Sequence, residues 1–193
     1  GQTVLYGHNL VNVASVAGIT DYDYTAFTLG PTFAKNDAQG LYVNPDKYKD
    51  LNEFIEAAKA NPGQLKACTE VGAYTYYELL KFEQVAGIDL DLVDVGSNSD
   101  KVTAMLSGQV DMMPGAFVNT KDYLDAGQFV CVGIPTEERS ALMPDVPTLK
   151  EQGIDIVYPD LDYSFYFPAG TDDAVIAWFE NTTKTVTENE KCQ

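Results

Sequence analysis

One arginine, Arg139, one histidine, His8, and one tryptophan, Trp178, stand in a chain of 193 residues. With a lone arginine, no anion site here can rest on a cluster of bidentate guanidinium forks. With a lone histidine, imidazole chemistry falls to His8, for which the sequence marks neither a nucleophile nor an orienting partner. Positive charge is short overall: 12 Lys and Arg face 29 Asp and Glu, a formal −17. That balance argues against nucleic acid or an anionic membrane surface as a partner. No apolar run approaches the ~18 residues a transmembrane helix needs. The three cysteines, Cys68, Cys131 and Cys192, show no CxxC spacing, which excludes a zinc ribbon and a complete disulfide framework and leaves buried thiols or a single disulfide open.

The enzyme templates are missing as well. There is no G-x-S-x-G elbow, Walker loop, G-x-G-x-x-G fingerprint or H-E-x-x-H pair, and no cofactor is expected. Asp89, Asp91 and Asp94 resemble a calcium ladder, but the interleaved Ile88, Leu90 and Leu92 make them the outward face of a strand, so no metal is expected either. Gly1 to Tyr6 reads as a strand rather than a charged segment followed by an apolar one. The chain is therefore expected to start after any export signal or in the middle of a domain.

What is present reads as α/β. Hydrophobic residues at 45% and charged ones at 21% are those of a globular chain, and the length suits one domain or two small lobes. Thr3 to Tyr6 is expected as a strand, the stretch onward to Gly40 as mostly irregular, and Gly40 to Val43 as a second strand. Asp50 and Glu53 form a capping box for a helix over Leu51 to Ala60, stopped by Asn61-Pro62-Gly63. A helix from Ala73 to Ala86, with Tyr76, Leu79 and Leu80 on one face, ends at Gly87, and Ile88, Leu90 and Leu92 alternate as a strand. Ser99 is expected to cap a helix whose buried stripe is Val102, Met105 and Leu106, closed by Gly108 before a strand over Val110 to Met113. A short helix near Asn119 to Ala126 ends at Gly127, before a strand over Phe129 to Ile134. Val175, Trp178, Phe179, Thr182 and Val186 give one face of a final helix, with Asp172 and Asp173 at its positive end.

Four strand-to-helix turns of small and polar residues are left over: Gly7-His8-Asn9, Thr69 to Thr75, Gly96 to Ser99 and Pro114-Gly115-Ala116. In open α/β sheets ligands sit beyond the carboxyl ends of strands, where helix N-termini present unpaired N–H groups and roughly half a positive elementary charge. Such turns can hold a carboxylate without an arginine. Among the twelve tyrosines, Tyr74 is singled out by its place at a helix start beside such a turn.

The segment from Glu138 to Gly153, reading ERSALMPDVPTLKEQG, resembles the signature of one family, the substrate-binding proteins of tripartite tricarboxylate transporters, or Bug-type receptors. Gly1 to Gly7, Leu41-Tyr42-Val43-Asn44-Pro45, Ala60-Asn61-Pro62-Gly63, Ser107 to Met113 and Phe167-Pro168-Ala169-Gly170-Thr171 fall in that family's order. The resemblance implies a type II periplasmic-binding-protein fold, with two α/β lobes joined by crossover strands. Residues 1–39 and 158–193 would form lobe 1 and residues 40–157 lobe 2. It implies a receptor outside the cytoplasmic membrane, exported and in some cases membrane-tethered, that passes a small carboxylate to permease subunits. The alternative is a sensing module of the same fold that serves a signalling partner. Carried across, the ligand positions fall on His8 and Asn9, on Gly72, Ala73, Tyr74 and Thr75, on Ser97 and Asn98, and on Gly115 and Ala116. Glu70, Val71 and Tyr74 depart from the family's small residues, and an inward Glu70 would repel an anion. The family's first strand, Gly-rich loop and first helix would precede Gly1 and its final segment would follow Gln193, so lobe 1 is expected to be incomplete here, the chain to bind its acid weakly or not at all, and the exposed apolar surface of the truncated lobe to be open to self-association or to an ordered partner chain.

Overall fold

The computed structural model describes residues 3–36, 38–158 and 161–190. Cys192 and the first two residues lie outside them. The chain divides into two compact units, residues 1–36 with 160–193 and residues 37–159.

The first unit is a three-stranded antiparallel sheet with two helices. β1 (Leu5–Gly7) and β2 (Phe27–Asn36) flank β8 (Leu161–Pro168), and the helices are α1 (Leu10–Val16) and α6 (Asp173–Thr187). The expected irregular stretch before Gly40 is therefore corrected: it holds a helix and a ten-residue strand. Gly30 and Pro31 hid β2, yet both suit an edge strand with bulged register. A Cβ on Gly30 would collide with the ring of Phe167, so close approach rather than flexibility requires glycine there. In α6 the expected apolar face is also corrected. Phe179 turns inward, with ring centroids 5.5 and 5.0 Å from Phe165 and Phe167, and Thr183 is buried beside it. Val175, Trp178 and Val186 stay exposed, Trp178 at 61%.

The second unit carries most of the buried apolar side chains. β3 (Gln39–Val43), α2 (Leu51–Ala60), β4 (Lys66–Thr69), α3 (Tyr74–Ala86), β5 (Asp91–Asp94), α4 (Asn98–Leu106), β6 (Met112–Ala116), α5 (Phe117–Asp125) and β7 (Val130–Gly133) follow in order. The sheet runs β5-β4-β6-β3-β7, with β4 parallel to β5 and β6 and β3 antiparallel to β6 and β7. Period-2 alternation sends Leu41, Val43, Ala67, Met112 and Val132 into one core with α2 and α3, and Tyr42, Cys68, Met113 and Cys131 into another with α4. Fully buried Phe54 and Phe82 anchor the first core and Tyr42 and Met105 the second, each side chain worth roughly 1.5–3 kcal/mol of burial.

Several local expectations move. Asp50 does cap α2, but Glu53 reaches back to the Lys49 N–H rather than to Asp50. β4 was not foreseen, because Lys-Ala-Cys-Thr carries neither alternation nor β-branching until Thr69. The buried face of α3 is Glu78, Leu79, Phe82 and Ala86, with Leu80 exposed. Ser97 rather than Ser99 caps α4, whose buried residues are Lys101, Val102, Ala104 and Met105, with Leu106 exposed. The strand after Gly108 begins at Met112, two residues late.

Candidate functional site

Strand order decides where the second unit's loops gather. From β4 the chain turns through α3 to β5 on one side; from β5 it returns through α4 past β4 to β6 on the other. Opposite crossover directions put α3 and α4 on opposite faces, as their separate cores record. The connections leaving β4 and β6 thus diverge at a topological switch point, where open α/β sheets bind ligands. β6 pairs with β4 at Ala67↔Met112 alone, and Pro114 has no N–H with which to prolong that ladder.

The switch-point loops are Thr69 to Ala73, which enters α3, and Ala116, which enters α5. Gly72 takes φ 83° and Gly96, in the neighbouring β5–α4 loop, φ 82°; both need a residue without a Cβ penalty. Asp94 braces the two loops by accepting from the Val71 N–H at 3.3 Å and the Gly96 N–H at 3.2 Å. Ala73 is the N-cap of α3 and Ala116 that of α5, and neither helix start has a side-chain cap. The Phe117 N–H of α5 goes to the Ala38 carbonyl at 2.8 Å. At α4 the cap is complete: the Asp100 N–H donates to Ser97 Oγ, and the Ser97 N–H and hydroxyl donate to Asp100 Oδ2 at 3.0 and 2.6 Å. Those bonds hold the Asp100 carboxyl below its usual range.

The expected ligand residues therefore differ in what is left to them. Gly72, Ala73, Tyr74 and Thr75 open a thirteen-residue helix without a side-chain cap, whereas the Ser97 side chain is engaged in its own capping box beside Asn98. Gly115 and Ala116 lie at the end of β6. Glu70 is exposed. In the first unit, His8 Nδ1 is 3.0 Å from Asn9 Oδ1 and the His8 ring meets Tyr163 edge-on at 5.4 Å.

Two charged side chains that the sequence reading did not single out lie under these loops. Glu78, on the second turn of α3, is 2% exposed, and neither carboxyl oxygen has a hydrogen-bond partner. Burial pushes its carboxyl up to about 8, with the Gln39 side chain and the Lys101 charge pulling the other way. Lys101, on the first turns of α4, is 4% exposed. Its Nζ donates to Thr75 Oγ1 at 3.4 Å, and Thr75 Oγ1 lies 3.1 Å from Thr69 Oγ1 at the end of β4. Among the described residues no carboxylate comes within ion-pairing distance of it. Burial also pushes up the phenols of Tyr42 and Tyr158, Glu78 adding to both, and Tyr158 donates to the Glu78 carbonyl at 2.7 Å. Arg139 is engaged elsewhere, with Nε 2.9 Å from Glu151 Oε2 at an exposed position. Cys68 and Cys131 are free, buried thiols.

Residues 20–192 match the tripartite tricarboxylate transporter family receptor. The chain belongs to this family. Among curated proteins it is 32% identical, over 162 residues, to the UPF0065 protein in the gbd 5' region of Cupriavidus necator, covering 82% of this chain and 46% of that one. Among solved structures it is similar to MatC from Rhodopseudomonas palustris with bound malate, at TM-score 0.83 and 23% identity over 98% of this chain and 66% of that one. A second R. palustris protein, with adipate, aligns at TM-score 0.78 and 17% identity, over 89% of this chain and 58% of that one. These likenesses give the α/β periplasmic-binding-protein fold, and the chain spans about half the length of the C. necator relative. The family is one of transporter receptors rather than enzymes, consistent with the missing catalytic motifs. Among the described residues no helix is long and apolar enough to cross a membrane, and no group of acidic, cysteine or histidine side chains is arranged to hold a metal.

Proposed function

We propose that this protein is an extracytoplasmic receptor that captures a small di- or tricarboxylate and hands it to membrane permease subunits of a tripartite transporter. The observation that carries the reading is the start of α3: a long helix without a side-chain cap opens at the switch point, over a buried ammonium, in a protein whose only arginine is engaged elsewhere. Gly72 to Thr75 then supply the amides and hydroxyl that meet a carboxylate, with Gly115 and Ala116 beside them. His8 and Asn9 remain ligand candidates on their own unit. Relatives holding malate and adipate make dicarboxylates the first acids to try.

Ala73→Asp in the full-length protein tests the assignment with two readouts of opposite sign. At an N-cap lacking a side-chain bond, aspartate stabilises the helix by ~1 kcal/mol, so the melting temperature rises. The same carboxylate repels an acid bound at that helix start, so affinity for malate or adipate falls by calorimetry. Binding as tight as that of the unaltered protein would refute the placement of the acid.

A further inference from the structure

Lys101 is out of place for a structural lysine. Surface lysines keep their heads in water, and buried ones are ordinarily paired. Here the side chain is 4% exposed, and its one hydrogen bond among the described residues is a long one to the Thr75 hydroxyl. Glu78 does not neutralise it: no ion pair forms, and burial keeps that carboxyl largely protonated near neutral pH. A desolvated cation without a counterion is costly unless something else supplies the negative charge. Its position is just as telling. α4 packs on one face of the sheet and Thr75 belongs to the helix on the other, so Lys101 reaches past the end of β4 to the loop at the switch point.

We propose that Lys101 is the positioning residue of the acid site, its ammonium fixing and polarising the Thr75 hydroxyl so that Thr75 donates its proton to a ligand carboxylate. The inference rests on the reading that these loops bind a small acid. An ammonium can only donate, so Thr75 Oγ1 must accept from it. When Thr69 supplies the second donor to that oxygen, the Thr75 proton is left to point away from both, and an anion at the loop selects this arrangement. Glu78 then acts as the counterweight. Its facing groups are Gln39 and Tyr42 from β3, Tyr158, and Lys101 from α4. The two phenols are pushed above their ordinary range and the neighbouring Cys68 thiol up to about 12, so between pH 6 and 9 Glu78 is the member of this set that gains charge. Its ionisation cancels the Lys101 field, and acid binding weakens as pH rises through about 8.

The test measures the affinity of the full-length protein for malate and adipate by calorimetry, at pH 6.5 and pH 9. Lys101→Met and Thr75→Val should each weaken binding by about tenfold to a hundredfold, the range for a hydrogen bond to a charged group. The double variant should be no worse than the weaker single, because the two side chains act as one unit. Unaltered protein should lose about tenfold or more at pH 9, and Glu78→Gln should remove that loss. Should Lys101→Met fail to fold, the pH comparison decides: a Glu78→Gln protein with the unaltered pH dependence overturns the proposal. It is equally overturned if Lys101→Met binds within twofold of the unaltered protein, or if the Lys101 and Thr75 losses multiply. If the unaltered protein binds neither these acids nor any other small carboxylate, the receptor reading fails and takes this inference with it. If it binds one and the variants behave otherwise than stated, the inference alone fails.

Discussion

Glu78 should make the second unit less stable as pH rises. Its carboxyl ionises near 4.5 under ordinary conditions and near 8 in the fold, because burial disfavours the charged form. Between those values the unfolded chain has released a proton that the folded chain retains, so rising pH favours unfolding. The penalty is absent below pH 4.5, grows by ~1.4 kcal/mol per pH unit, reaches about 3 kcal/mol at pH 7 and levels off near 5 kcal/mol above pH 8. Glu78→Met keeps the length of the side chain and removes both unpartnered oxygens, so it should recover most of that free energy. The assay is urea unfolding of both proteins from pH 4.5 to 9, followed by circular dichroism, since the lone tryptophan belongs to the first unit. Subtracting the two stability curves cancels the other acidic groups. The difference should widen in favour of methionine by ~3 kcal/mol between pH 4.5 and pH 7, or roughly 6–12 °C in melting temperature. Parallel curves would show that Glu78 is already ionised in the fold, and would undercut the view that Lys101 stands alone.

Two further perturbations probe the same unit. Asp111 ties three segments together, accepting from Lys47 Nζ and from the Lys66 N–H, both at 2.9 Å, and from the Tyr48 hydroxyl at 3.4 Å; Asp111→Ala should cost ~1–3 kcal/mol in chemical denaturation, and a change under 0.5 kcal/mol would show these bonds to be idle. In a Cys192→Ser background, Cys68 and Cys131 should resist an aromatic disulfide reagent at pH 8 until the protein unfolds, because burial pushes both thiols up to about 12; stoichiometric labelling of the folded protein within seconds would refute that.

The parts of the second unit that were legible were those with local punctuation. Asp50, Gly87 and Gly108 mark helix ends through a carboxylate cap and positive φ, and β3 and β7 advertise themselves with apolar runs. What escaped was set by packing. β4 is internal to the sheet and only four residues long, and β2 tolerates Gly30 and Pro31 because it lies at an edge. Ser97 overtook Ser99 because Asp100 stands three residues after it and closes the box.

The charged pair escaped for a different reason: a period-3.6 reading sends polar residues to the solvent side by default. Yet Glu78, Phe82 and Ala86 follow one another at intervals of four, as do Lys101 and Met105, so each charge lies on the stripe its own helix buries. Either one alone reads as a stripe slightly mis-drawn. The two together, on the helices that follow the β4 and β5 turns, are harder to set aside, since they carry opposite signs, come from opposite faces of the sheet and feel one another's charge without forming an ion pair. Burying both costs stability, and that cost falls at the switch point rather than at the helices' distant ends. A position where the fold accepts charge it does not neutralise is where a charged ligand has most to offer, which is why we propose the acid site over Thr75 rather than at the fully capped start of α4.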